Sequence, residues 1–336
     1  MRNIHPNQSS PIRKKRGNLV VLVVFIAVLA GVWTQRIAIQ DDIKLYNYHP
    51  DAVVRALASQ TTMTPFGRHL FYVNHPQIRE SASFNISCQA HSEKTIVLGC
   101  YHNNQAGIFL YHVTDSRLDG VEQVTAAHEM LHAAYDRLNA ADKKQVNGWL
   151  MDYYQNGLQD QRIKDTIAAY KQSEPTEVVN EMHSVFGTEA TKLPPQLENY
   201  YKRYFTDRNI VLAEGQRYQQ EFTSRENAVA QDDSSLKSYK QQIDTNNSRL
   251  AAMQAEIKQK QSKLDQERNS SDIAAYNAGV PDFNAEIDSY NSLAAATSQL
   301  INEYNDLVKV RNSLAGEVNQ LAQAISSQPP STVDSK

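Results

Sequence analysis

His128 and His132 stand four residues apart in the stretch 124–136, VTAAHEMLHAAYD, with Glu129 directly after the first histidine. On a helix, residues i and i+4 lie one turn apart on the same face, so both imidazoles can address one ion. Glu129 falls about 100° further round, close enough to reach a water beside that ion without binding the ion itself. Hydrolysis by a zinc-activated nucleophile needs this set: two neutral nitrogen donors, an open position, and a carboxylate that takes the water's proton. The five-residue pattern recurs by chance in on the order of one chain per hundred of this length, so its surroundings must decide. The flanking residues in TAAHEMLHAA are uncharged, and Val121, Val124, Leu131, Tyr135 and Leu138 fall on the histidines' side. That places the pair on a buried face, where two unliganded imidazoles would be costly. The competing reading is a pair of core histidines satisfied by hydrogen bonds. Asp119-Gly120-Val121-Glu122 fits a capping box that starts the helix, and the strand-like GIFLYHV precedes it.

A metal held this way needs one more protein ligand. The segment EPTEVVNEMHSVFG reads as a helix with Pro175 near its start and Gly187 near its end. Val178, Met182, Val185 and Phe186 form its apolar stripe, and Glu181 lies along the edge of that stripe, where a carboxylate needs a partner. Glu177 and His183 are the rivals. Glu177 lies further from the stripe, and His183 is roughly 160° from Glu181 round the helix. Glu181 is therefore the expected third ligand.

The decapeptide around the two histidines resembles the extended signature of the zincin metallopeptidases. The resemblance implies an α+β zincin-like catalytic domain, a small antiparallel or mixed sheet plus helices that carry the site. It also implies one Zn2+ per chain on His128, His132 and a third ligand, with Glu129 as general base. The strand near residues 107–113 then resembles the edge strand along which zincins bind an extended peptide by β-augmentation. The metzincin continuation, a Gly and a third His just downstream, is absent from AAYDRLNAAD. Asn180-Glu181-Met182-His183-Ser184 resembles the Asn-Glu-x-x-Ser segment of thermolysin-like gluzincins, whose Glu is the third zinc ligand. The gap from His132 is longer than in those enzymes, and Val185 stands where they carry an Asp that orients a zinc-bound His, so the groups behind the ligands must be built differently. Tyr153, Tyr154, His183, Tyr200 and Tyr201 are candidates for stabilising the tetrahedral oxyanion, and none is singled out.

The elements that position these residues follow from composition. The chain has 336 residues, 41% hydrophobic, with a net charge of −3, so no global field points to nucleic acid. Arg2, Arg13, Lys14, Lys15 and Arg16 precede any acidic residue, and an unbroken apolar run follows from Leu19 to Trp33. This is the layout of an export signal. It reads as a single-pass anchor over 19–39, with residues 1–18 cytoplasmic under the positive-inside rule and the remainder extracytoplasmic. The alternative is a signal peptide cleaved near Ala30 and a secreted chain. The only two cysteines, Cys88 and Cys100, lie in the exported part, where a disulfide is expected and two free thiols are the alternative.

Residues 41 to about 66 read as helix, and 69–113 as strands (HLFYV, FNISC, TIVLGCYH, GIFLYHV). Helical patterning returns to about 205, so the catalytic domain is expected over 41–207. Beyond it two heptad tracks run through Phe222, Val229, Leu236, Ile243, Leu250, Ile257 and Leu264, and through Leu293, Leu300, Leu307, Leu314 and Leu321. They predict a coiled-coil helical hairpin over 208–326 that turns between Asn269 and Pro281, with Gly279 and Pro281 interrupting the helix. Intermolecular pairing of long helices is the alternative. Residues 327–336 read as a disordered tail. The sum of these readings is a membrane-anchored, extracytoplasmic zinc metalloendopeptidase acting on a peptide or protein substrate. Its coiled coil would serve as a spacer or as an arm for a partner or for self-association. A cell-surface scaffold with an inactive zinc domain is the competing class.

Overall fold

The computed structural model of the protein describes residues 13–88 and 98–327; the expected strand start at 95–97, the first twelve residues and the tail beyond 327 lie outside them. Helix α1, Arg13–Leu45, contains one span, Val21–Leu45, long and apolar enough to cross a membrane, and none of its most apolar window is buried. The helix continues past Ile39 because residues 32–45 contain neither Gly nor Pro. Its last turns dock on the rest of the fold through Asp41, which is only 5% exposed. Arg137 pairs with Asp41 (Nη2 to Oδ1 2.5 Å), and His69 Nε2 lies 2.9 Å from Oδ2.

Helices α2 (Ala52–Gln60) and α3 (Pro65–Val73) follow, each started by a side chain that accepts from the first turn, Asp51 from Val54 N–H and Thr64 from Gly67 N–H. HLFYV is therefore helix, not strand: Thr64 and Pro65 form a strong helix start that outweighs the β-type composition. FNISC falls mostly in α4 (Ser81–Ser87), another correction to the strand reading, since only Phe84 of that helix is buried and a single anchoring contact suits a helical turn. The sheet is small and mixed: β1 (Gln77–Arg79) pairs parallel to β3 (Gly107–Tyr111), and β2 (Gly99–His102) pairs antiparallel to β3, giving the order β1-β3-β2. A disulfide joins Cys88, just past α4, to Cys100 on β2.

Helix α5 (Val121–Asp136) is followed by α6 (Ala140–Asp152), a π-helical turn at Tyr153–Gly157, α7 (Gln161–Ser173), α8 (Val178–Glu189) and α9 (Pro195–Tyr201). The expected capping box at the start of α5 is not used as drawn. The Glu122 carboxylate accepts from Val113 N–H (2.9 Å) and lies 2.8 Å from His112 Nδ1, while Asp119 N–H bonds Ser116 O. Ion-pair and backbone partners reached through the fold compete with the local box.

The described chain divides into two compact units. The first comprises 13–88, 99–111 and 123–212; the second comprises residue 98, 112–122 and 213–327. In the first, α5 is buried almost all round, which its alanines Ala126, Ala127, Ala133 and Ala134 permit by letting neighbours come close. The second unit is built on α10 (Arg208–Asn269) and α11 (Ile273–Ala324), two long helices that fit a helical hairpin. Arg225–Glu317, Asp233–Arg311 and Lys260–Glu286 pair with one number rising as the other falls, as antiparallel helices require. Leu118, Val121, Leu321 and Ile325 form its apolar cluster, with Tyr218 and Phe222 packed against them. The turn is Ser270–Asp272, closed by Asp272 accepting from Ala275 N–H, and α11 runs through Gly279 and Pro281 without stopping. One lost hydrogen bond at Pro281 is small against the packing of a 52-residue helix. At Gly279 a side-chain Cβ would lie 2.8 Å from Leu264, so the glycine serves a close approach.

Candidate metal centre

His128 and His132 project from α5 one turn apart, and Glu181 reaches them from α8. The crossing of these helices is set at Gly187, where a Cβ would lie 2.3 Å from Leu131 Cδ1 and 2.8 Å from the Tyr201 ring. Only glycine allows α8 to come so close to α5 there. Nearly two turns earlier on α8, the same approach delivers the Glu181 carboxylate to the two imidazoles.

The three donor groups converge. His128 Nε2 and His132 Nε2 are 3.0 Å apart, His132 Nε2 is 3.4 Å from Glu181 Oε1, and His128 Nε2 is 3.6 Å from Glu181 Oε2. Nitrogen and oxygen donors bound to a tetrahedral ion at about 2.0–2.1 Å lie about 3.3–3.4 Å from one another, so the three groups stand within a few tenths of an ångström of the spacing a metal needs. Glu181 is 6% exposed, and its Oε2 has no hydrogen-bond partner. A buried carboxylate oxygen left so is costly unless a cation faces it. His128, His132 and Glu181 could therefore hold a metal ion.

The protonation states fit the same purpose. Burial opposes a charge on His128, but the carboxylates of Glu181 and Glu129 outweigh it and raise the imidazole to about 9 in the metal-free site. Burial and the neighbouring His128 lower His132, the Glu181 carboxylate opposing them. Burial works against ionised Glu181, yet the two imidazoles prevail and lower its pKa. The group thus carries a proton that a divalent cation would replace.

Further side chains orient the donors. His132 Nδ1–H donates to Asn180 Oδ1 at 3.0 Å, and Asn180 Nδ2 donates to Glu177 Oε2 at 3.3 Å. With Nδ1 protonated, Nε2 keeps its lone pair for the ion. Glu177 is thus a partner of Asn180 and stands outside the donor group. The Tyr170 hydroxyl, on α7, also helps to lower the pKa of the Glu181 carboxylate. Exchanging Asn180 for Ala is expected to lower divalent-metal affinity about 10- to 100-fold, measured by competition with a chelating dye, with the circular dichroism spectrum unchanged.

His183 is fully buried and bonds the Tyr200 hydroxyl at 2.8 Å; burial and the imidazoles of His132 and His128 push it down to about 3. It packs among Tyr135, Tyr201 and Tyr204 as a neutral core residue. Tyr201 donates to His183 O and Tyr153 to Lys192 O, so both hydroxyls are committed to the backbone, and the Tyr154 ring carries Lys171 Nζ. Tyr170 escaped the sequence reading, although Ile163, Ile167 and Tyr170 at spacings of four and three mark one stripe of α7.

Glu129 is 5% exposed and packs against the first residue of β2: a Cβ at Gly99 would lie 2.6 Å from Glu129 Oε1 and 2.6 Å from Thr125 Cγ2. The sheet edge and the carboxylate therefore meet. This corrects the expected edge strand. β3 carries a partner on each side and is the middle strand, because β1 and β2 both pair with it; among the described residues the edge beside Glu129 is β2. Gly99→Ala is expected to displace the carboxylate and lower kcat of any reaction that uses it by about 10- to 100-fold, with metal content and KM little changed. A steady-state comparison of kcat and KM checks this.

No protein-family model matches the chain, and no curated protein or solved structure matches it.

Proposed function

We propose that the protein is a membrane-anchored zinc metallopeptidase of the zincin type, with the third ligand drawn from α8 in the gluzincin manner. The observation that supports it most is the meeting of His128, His132 and Glu181 at metal-ligand distances with a second carboxylate, Glu129, on the next residue of α5. Zinc suits two imidazoles and a carboxylate, and it would supply a Lewis acid that polarises a carbonyl and makes water nucleophilic at neutral pH. Glu129 accepts the proton of the attacking water and returns it to the leaving amine. Asn180 holds His132 in position. The substrate backbone adds to the edge of β2, whose first residue, Gly99, lies against Glu129. The anchor segment 19–39 crosses the membrane with the site on the extracytoplasmic side, an orientation that rests on the basic residues before it. The α10–α11 hairpin serves as a spacer or a partner arm.

The test is metal analysis of the full chain in detergent, joined to digestion of a proteome-derived peptide library. One zinc per chain, lost in Glu181→Ala, and library peptides cut by the native chain but not by Glu129→Gln are the expected results. A native chain that binds no zinc, or a library left intact, overturns the reading.

A further inference from the structure

The anchor helix ends inside the catalytic fold. Asp41, two residues past the expected anchor segment 19–39, is buried against Arg137 and His69. One turn on, the Lys44 carbonyl accepts from His75 Nε2 at 2.9 Å, and the Lys44 ammonium donates to Gln105 O. Gln105 in turn donates to Ala133 O of α5 at 3.1 Å. The end of α1 is thereby tied to α3, to the β2–β3 turn and to the end of α5. No Gly or Pro interrupts the helix from Val32 to Leu45, so it supplies no hinge.

This sets the height of the site. Asp41 stands about 3 Å along α1 beyond Ile39, and Arg137 stands about 7 Å along α5 beyond His132. One ion pair of 2.5 Å joins the two paths, so with the side chains included the metal donors lie at most roughly 30 Å from the end of the expected anchor segment. An extended chain covers about 3.3 Å per residue, so at most about nine residues bridge that distance.

We infer that this site acts on polypeptide segments at the membrane surface, within about ten residues of where the substrate leaves the bilayer. The inference rests on the metallopeptidase reading and adds the substrate class. A site on a flexible tether would sample soluble chains freely; a site held at fixed, short height meets membrane-tethered segments at high effective concentration.

The experiment uses the full chain in phosphatidylcholine–phosphatidylglycerol vesicles and the peptide that it cuts fastest in the library. That peptide is fused to a transmembrane helix with 8 or 40 spacer residues before the scissile bond, and is also supplied free. The 8-residue substrate is expected to be cut about tenfold faster than the 40-residue one, from the −3/2 power dependence of effective concentration on length. A Gly-Ser linker of 20 residues inserted after Ile39 should abolish the preference for 8 over 40 and leave the free-peptide rate unchanged. Equal rates at 8 and 40, free peptide cut as fast as the tethered form, or a preference that survives the linker overturns the inference while leaving proteolysis intact. A mature chain beginning at Gly31 and free of membranes in cells overturns it independently. A chain that cuts no peptide overturns the metallopeptidase reading and the inference with it.

Discussion

Replacing Glu129 with Gln is expected to lower kcat/KM for peptide hydrolysis by about a thousandfold while zinc content stays at the native level. The amide has the shape of the carboxylate, so the close fit against Gly99 survives. It cannot take a proton, so the water loses its base and the leaving amine its acid. The loss should appear in kcat, since the substitution leaves the proposed substrate-binding edge of β2 untouched. Glu129 is also one of the charges that raise His128, so the variant should bind zinc at slightly lower pH than the native chain. A scaffold with a purely structural metal has no use for the carboxylate. Native proteolysis and native cellular behaviour in Glu129→Gln would sink the enzyme reading in favour of that one.

Replacing Glu181 with Ala is expected to remove zinc binding altogether at micromolar metal and, with it, the stabilisation that zinc provides. An ion present at a thousand times its Kd stabilises the folded state by about 4 kcal/mol. The native chain should therefore show a large zinc-dependent rise in Tm that the variant lacks. The pH dependence has a definite sign. In the metal-free chain His128 is raised to about 9 from its ordinary 6.5, burial opposing but Glu181 and Glu129 outweighing it. A pKa raised on folding contributes stability that is fully present below about 6.5 and is lost as pH rises through about 9. Zinc requires the neutral imidazole, so its affinity rises with pH across that window, and binding near neutral pH releases about one proton. Titration calorimetry in buffers of different ionisation enthalpy reads the proton count. In Glu181→Ala the metal-free chain should lose most of its stability decline between pH 6.5 and 9. An unchanged decline would mean that Glu181 is not the carboxylate facing His128.

The heptads of α10 and α11, the apolar N-terminal segment and the His-Glu-x-x-His helix were legible because each is a repeat along one element. In the hairpin, the half-buried positions recur in the predicted sevens through Phe222, Val229, Leu236 and Ile243. The strands were less legible. Apolar, aromatic runs such as HLFYV suit a buried helix turn and a strand alike, and a capping Thr64 with Pro65 decided for helix. That β3 lies in the middle of the sheet could not be read either, since strand order depends on which segments meet across the fold.

For the site, the sequence by itself determined the spacing of His128, Glu129 and His132. The pitch of a helix is the same wherever it forms, so four residues place two imidazoles on one face and the glutamate beside them. It also determined that α8 offers Glu177, Glu181 and His183 at different angles. Which of them meets the histidines was decided only by the rotation and closeness of α8 against α5. That depends on Gly187 receiving Leu131 and Tyr201, on Asn180 reaching His132, and on Tyr170 arriving from α7. These contacts join residues far apart in the chain, and close packing, which has no sequence period, selects among them.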